Sequence, residues 1–165
     1  MKENEKKIIT NRTNREKKDK DNSNKTISIN KQKVSRKWYL IDVKNKILGR
    51  VSTKIASILK GKLKTSYTPN IDNGDYVIVI NASQIRLTGK KWKQKNYYRH
   101  SGYPGGLKTV NALELMNKFP IRILEKSVFG MLPHTKLGNQ MRKKLFVYPY
   151  ESHKQKSQNI TVLEV

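Results

Sequence analysis

The sequence predicts an α/β fold, a mixed domain whose mainly parallel sheet is covered by helices on both faces, and three observations carry that prediction. Tyr76–Ile80, YVIVI, is an unbroken apolar run, which suits a strand covered on both sides in the middle of a parallel sheet. The aromatic and β-branched run Trp38–Val43 is followed, after a short turn, by residues at helical spacing, the first half of a βα unit. Along the whole body the expected order is β-α-β-β-α-α-α-β, with no internal repeat.

Each element has its own signal. Lys44-Asn45-Lys46 is the turn after the first strand, and Leu48, Val51, Ile55, Ile58 and Leu59 then fall on one helical stripe. Gly61 supplies the left-handed position that ends this helix. TPNIDNGD, residues 68–75, is a run of turn formers before the central strand. Ile85, Leu87 and a Thr88-Gly89 turn lead into KKWKQKNYYRH, which alternates weakly and reads as a solvent-side strand or extended loop. Asn111 and Glu114 fit a capping box, opening a helix with Leu113, Met116 and Leu115 inward. Pro120 interrupts it. Ile121, Leu124 and Val128 form the stripe of the next helix, which Gly130 is expected to end. A short helix follows with Leu137, Met141 and Leu145 at spacings of four, then a last strand, LFVYP, stopped by Pro149. The closing segment is polar with a short apolar end that can dock back on the body.

Charge bounds the function. The 165 residues hold 36 Lys and Arg against 12 Asp and Glu, a formal net charge of +24, which needs a polyanion to neutralise it. Residues 1–37 carry 13 basic and 5 acidic side chains with little apolar material, so they are expected to be a disordered basic extension. Residues 38–165, the expected α/β domain, still carry 23 basic against 7 acidic side chains. The extension alone does not account for the charge. No run is long or apolar enough to suggest a membrane span, and the N-terminus has neither the apolar core of a secretory signal nor the acid-poor composition of a transit peptide. With no cysteine there is no disulfide framework, thiolate metal site or cysteine nucleophile.

The most conspicuous motif is Tyr97–Thr109, YYRHSGYPGGLKT. From Gly102 to Thr109 it misses the phosphate-wrapping pattern of nucleotidases by one residue, because Leu107 precedes Lys108 where glycine is required. The segment before it is too polar for a buried strand, and YVIVI ends in Asn81 rather than a magnesium-holding aspartate. Other catalytic sets are equally absent from the pattern. His100, His134 and His153 lack metal spacing, and Asp72 and Asp75 flank an Asn-Gly turn where turn capping is the simpler role. The expectation is a protein that is not an enzyme and takes no cofactor, metal or small-molecule substrate.

The material for nucleic-acid binding is abundant. Lys60, Lys62 and Lys64 cluster where a helix ends. Lys90, Lys91, Lys93 and Lys95 surround Trp92. Tyr97, Tyr98, Arg99 and His100 open the glycine loop, and Arg142, Lys143 and Lys144 close a helix. Lysine and arginine can meet phosphates, Gly102, Gly105 and Gly106 let the backbone approach them, and aromatic or guanidinium planes can stack on unpaired bases. Arg50, Lys108, His134 and Lys136 complete the set of candidate RNA contacts. No zinc-finger, basic-zipper or RNP-type motif is present, so shape-dependent binding to folded RNA is favoured over sequence reading of DNA.

WYLIDVKNKILGRVSTKIASILKGK, YTPNIDNGDYVIVINASQIRLTGKK, YYRHSGYPGGLK and VFGMLPHTKLGNQMRKKLFVY follow one another at the intervals of a known family. From Trp38 to Val165 the chain resembles the ribosomal large-subunit protein L-thirteen family in its bacterial or organellar form. The resemblance implies a three-layer α/β/α sandwich around a four-stranded, mainly parallel sheet. It implies a structural role: binding large-subunit ribosomal RNA beside neighbouring ribosomal proteins, early in subunit assembly, in a bacterial cytoplasm or an organelle. It also places His100–Lys108 and Gly130–Pro133 in loops lying against RNA. The extension before Trp38 is longer than in a typical bacterial member, and Arg99 stands where many members carry histidine. The runner-up reading is an RNA-binding regulator acting away from the ribosome.

Overall fold

A computed structural model describes residue 30 and residues 34–164. Most of the expected basic extension, residues 1–29 and 31–33, lies outside the described residues; its last residues, 34–37, are described, and the Tyr76 N–H donates to the Lys37 carbonyl. Four parallel strands form the main sheet: β1 (Trp38–Asp42), β2 (Tyr76–Ile80), β5 (Leu145–Val147) and β6 (Ile160–Leu163), in the order β5-β2-β1-β6. The α/β class and the parallel sheet are therefore as the sequence predicts. β1 pairs with β2 from Trp38 opposite Tyr76 to Asp42 opposite Ile80. β2 brings Val77 and Val79 opposite Leu145 and Val147 of β5. Since side chains alternate along a strand, Ile41, Val77 and Val79 share one face. They pack in one core with Val51, Ile55 and Leu59 of α1 (Leu48–Lys60) and Ile123, Leu124 and Val128 of α4 (Pro120–Met131). On the other face Trp38 stacks on Tyr76 with ring centroids 4.3 Å apart and on Phe146 at 5.6 Å. Ile78 is fully buried there, which explains the unbroken apolar run of β2.

α1 ends as its sequence dictates. Gly61 takes φ 78°, its N–H donates to the Ile58 carbonyl, and the Lys62 N–H donates to that of Ser57, the pair of bonds that satisfies a helix C-terminus. Its start has no side-chain cap. Instead the Leu48 N–H donates to the Arg86 carbonyl, so the extended segment after β2 holds the first turn.

The second half of the chain departs from its sequence pattern in several places. A single helical turn, α2 (Lys91–Gln94), precedes an antiparallel hairpin of β3 (Asn96–His100) and β4 (Leu107–Asn111), which forms a separate two-stranded sheet. β4 was not foreseen because Leu107–Asn111 lacks apolar alternation. α3 (Ala112–Lys118) is capped by Asn111, whose side chain accepts from the Leu113 N–H. Glu114 makes no return bond and instead pairs with Lys118 at 2.7 Å, so the capping box is only half formed. Leu115 and Met116 face inward as expected, together with Ala112, while Leu113 is exposed; the Ala112 N–H is tied to the Lys95 carbonyl.

Pro120 starts α4 rather than only interrupting a helix: its fixed φ and missing N–H suit the first position. Gly130 lies inside α4, and Leu132, extended before Pro133, ends it. Leu132 itself is buried, so only part of the Gly130–Pro133 stretch can face a partner. α5 (Lys136–Arg142) stops before Leu145, which belongs to β5. The apolar C-terminal end does dock, as edge strand β6 beside β1.

Candidate nucleic-acid interface

The β3–β4 hairpin carries the largest concentration of candidate contacts. In the register Arg99 faces Lys108 across the strands, Tyr98 faces Thr109 and His100 faces Leu107. Alternation puts Tyr97, Arg99, Lys108 and Val110 on one side and Tyr98, His100, Leu107 and Thr109 on the other. Tyr97 and Val110 pack against the core, anchoring the base of the hairpin. The Lys95 and Lys126 ammoniums lie 5.5 and 4.9 Å from the Tyr97 ring centroid, and burial raises the Tyr97 hydroxyl pKa. Asn111 Nδ2 donates to the Lys93 carbonyl at 2.6 Å, which couples α2 to the end of β4.

Toward the tip every residue but Gly106 is exposed. Arg99, His100, Ser101, Gly106 and Lys108 line a recess of about 300 Å³. The Gly102 N–H donates to His100 Nδ1 at 2.9 Å, so the neutral imidazole carries its proton on Nε2 as a remaining donor. Gly102 and Gly105 have φ of 93° and 68°, values that favour glycine. At Gly106 a Cβ would stand 2.0 Å from Ser101 Oγ and 2.8 Å from the Tyr103 carbonyl oxygen, so the loop closes only around a bare backbone. Two cations directly opposite each other cost stability in an isolated hairpin and favour an anion between them. Tyr98, 63 % exposed, offers a ring for stacking on the reverse side. No acidic residue stands between Asp75 and Glu114, so nothing in this stretch competes for those charges.

The other candidates divide. Lys90, Lys91 and Lys93 are exposed on and beside α2, next to the hairpin in sequence, with Lys91 Nζ donating to Thr88 Oγ1. His134, Lys136, Arg142 and Lys143 belong to α5 and its entry. There Thr135 caps the helix through the Gly138 N–H, and Arg142 lies 3.3 Å from His134 Nδ1 and over the Phe129 ring at 5.2 Å. Arg50 is exposed near the start of α1 and shares a shallow recess with Lys46 and Lys54, which were not among the candidates. Their signal was present: Arg50 and Lys54 are four apart on a helix. At the end of α1 Lys62 is exposed and Lys60 half-buried.

Lys64 and Lys144 serve another purpose. Lys64 Nζ reaches Asp75 Oδ1 at 2.6 Å, the Ser35 carbonyl at 2.8 Å and the Asn73 carbonyl at 2.9 Å. Lys144 is buried, paired with Asp72 and 3.4 Å from the Leu59 carbonyl oxygen. Arg36 approaches Asp72 at 3.8 Å, and the Lys37 N–H donates to Asp75 Oδ1. These lysines neutralise the 72–75 turn from within and are withdrawn from the candidate surface. The turn approaches so closely that a Cβ on Gly74 would lie 1.7 Å from the Leu59 carbonyl oxygen.

Among the described residues no group of three or more His, Asp or Glu is placed to hold a metal, and no helix is long and apolar enough to cross a membrane. Residues 36–154 match the family described as ribosomal protein L13. The chain is 52 % identical over 140 residues to "Large ribosomal subunit protein uL13" of Mycoplasmopsis synoviae, covering 85 % of this chain and 97 % of that protein. It is 53 % identical over 141 residues to the protein so named in Acholeplasma laidlawii, covering 86 % and 99 %, and 55 % identical over 128 residues to that of Staphylococcus carnosus, covering 78 % and 88 %. A parallel α/β body bearing a cationic hairpin, matched over most of its length in this way, belongs to the ribosomal protein L13 family.

Proposed function

We propose that this chain is a structural constituent of the large ribosomal subunit, that it binds and cross-braces large-subunit ribosomal RNA, and that it acts early in subunit assembly. Its family is a structural ribosomal component, not an enzyme. The observation that carries the RNA reading is the β3–β4 hairpin, where Arg99 and Lys108 face each other unneutralised around a recess closed by glycine backbone. Phosphates of one RNA segment meet this recess, while Tyr98 stacks on the reverse side. Arg142 and Lys143 on α5, and Arg50 on α1, contact other segments, so one rigid body holds several RNA strands at fixed spacing. Gly102, Gly105 and Gly106 admit the backbone approach; Lys90, Lys91 and Lys93 extend the footprint. Bacterial relatives bearing the large-subunit name favour a bacterial cytoplasmic ribosome.

The test is co-sedimentation of the full chain with large subunits, followed by RNA affinity across a salt series for wild type and the Arg99→Ala/Lys108→Ala variant. Two lost phosphate contacts should flatten the log–log salt slope by about 1.4–1.8. A chain that stays off subunits at physiological salt would point to a regulator acting elsewhere. An unchanged slope would remove the hairpin from the interface.

A further inference from the structure

The turn at residues 72–75 holds a second chemistry besides its ion pairs. Of the chain's asparagines only Asn73 is followed by glycine. In a mobile chain such a pair reacts with itself, because glycine has no side chain to obstruct the approach of its nitrogen to the asparagine Cγ. A bond forms between the glycine nitrogen and Cγ, the Cγ–Nδ2 bond breaks, and the glycine N–H proton leaves with the amide nitrogen as ammonia. Water then opens the resulting succinimide at one or other ring carbonyl, giving aspartate or isoaspartate. No other reactant is needed.

In the folded protein every participant is held. Asn73 is buried, 2 % exposed. Its Nδ2, the nitrogen that has to leave, donates to the Ser66 carbonyl at 3.0 Å and to Ser66 Oγ at 2.9 Å. Its backbone N–H donates to the Ile71 carbonyl, and its own carbonyl accepts from Lys64 Nζ at 2.9 Å. The peptide bond between Asn73 and Gly74 lies against the end of α1: a Cβ on Gly61 would stand 3.0 Å from the Asn73 carbonyl carbon and 3.1 Å from the Gly74 nitrogen. Turning the side-chain amide over that nitrogen breaks both Ser66 bonds, and admitting water requires the turn to lift off α1.

We propose that Asn73-Gly74 is a latent self-modification site, silent while the turn is packed and converted to aspartate or isoaspartate when the turn opens, so that an opened chain is covalently marked and closes less well. The products do not fit the closed turn. An aspartate at 73 presents a carboxylate oxygen to the Ser66 carbonyl in place of the amide donor, and it does so in a buried position. Isoaspartate adds a methylene to the backbone of a turn so close to α1 that a Cβ on Gly74 would meet the Leu59 carbonyl oxygen. Asp72 and Asp75, which hold Lys144 and Lys64, stand on either side of the reacting pair, so either product disturbs both ion pairs. Conversion follows the population of the open turn. The ion pairs that close the turn are therefore also what keeps Asn73 intact.

The test follows Asn73 by peptide mass mapping of the full chain incubated in mildly alkaline buffer, with and without guanidinium chloride. Each protein's rate in buffer is divided by its own rate in denaturant, which removes any effect of a substitution on the intrinsic chemistry. Wild type should convert roughly a hundredfold more slowly in buffer than in denaturant. Asp72→Ala, which takes away the partner of Lys144, should raise the ratio roughly tenfold. Ser66→Ala leaves the ion pairs in place and removes one of the two acceptors of the amide. It should raise the ratio by less, and it carries the comparison if Asp72→Ala does not fold. Asn73→Asp, which mimics one product, should show a lower urea midpoint than wild type. Equal wild-type rates in buffer and denaturant, no conversion of Asn73 in denaturant, an unchanged ratio in either folded variant, or an Asn73→Asp chain as stable as wild type would overturn the proposal.

Discussion

The β3–β4 hairpin and the turn at residues 72–75 use the same side chains to opposite ends. In the hairpin Arg99 and Lys108 face each other with no acid between Asp75 and Glu114 to offset them. At the turn Lys64 and Lys144 are drawn inward by Asp75 and Asp72, and their other donors meet the carbonyls of Ser35, Asn73 and Leu59. What separates a binding cation from a structural one is therefore the distribution of carboxylates, together with backbone close enough to supply carbonyl acceptors. Density of lysine does not distinguish them. The first arrangement has no carboxylate partner among the described residues; the second is complete in the protein alone. Mutations should thus separate into those that move stability and those that move affinity.

The largest expected effect is at the turn. Asp72→Ala leaves the Lys144 ammonium buried without its partner and should destabilise the protein by about 3–5 kcal/mol, measured by urea unfolding. Lys144→Met, which removes the buried charge and keeps the volume, should be far milder. Equal losses for the two variants would mean that the pair itself, rather than the orphaned charge, carries the stability. Next comes Gly74→Ala, whose Cβ would meet the Leu59 carbonyl oxygen at 1.7 Å. Backbone has to move to admit it, at about 1–3 kcal/mol. Gly106→Ala at the hairpin tip is the matched control: it meets the Ser101 hydroxyl at 2.0 Å, distorts the recess, and should lower RNA affinity with little change in the melting temperature of the free protein. If Gly106→Ala destabilised the whole domain, the hairpin would be part of the cooperative core and the contrast would fail.

A smaller effect of opposite sign is expected on stability when Arg99 and Lys108 are both replaced by alanine. Removing two cations placed opposite each other relieves a repulsion of roughly 0.2–1 kcal/mol, so the free protein should melt slightly higher while its RNA affinity falls. A lower melting temperature would show that their aliphatic stems, rather than their charges, matter to the hairpin.

How much of this was legible beforehand follows the range of the forces involved. β1, α1 and β2 were readable because burial imposes a local period: YVIVI on a strand covered on both sides, and Val51, Ile55, Ile58 and Leu59 on a helix ended by Gly61. The hairpin loop was readable from its glycines and cations. β4 was not, because Leu107–Asn111 is mostly exposed, with only Val110 and Asn111 half-buried, and is held by pairing with β3 rather than by burial. On α3 Leu115 and Met116 turn inward as expected and Leu113 does not, the helix being entered through the Ala112 N–H bond to the Lys95 carbonyl, a contact across 17 positions. Lys64 and Lys144 look like surface lysines in sequence. Lys144 is 72 positions from Asp72, and only the parallel placement of β5 beside β2 brings the two together.

The smallest expected effect is a pH dependence that belongs to the turn. Burial lowers the Lys144 pKa, and the lowering is partly reversed by the hydrogen bond and charge of Asp72 and by the charge of Asp75, while Arg36 adds to it. The folded protein therefore releases this proton at a lower pH than the unfolded chain does. Between the lowered value and the ordinary lysine value of about 10.4, the unfolded chain binds more protons, so this group's contribution to stability rises with pH. Below that window its cost is constant. Urea midpoints of wild type and Lys144→Met, compared in steps from pH 8 to pH 10, should show the stability of the methionine variant relative to wild type falling as pH rises. A constant difference for Lys144 would mean that Asp72 fully compensates the buried charge.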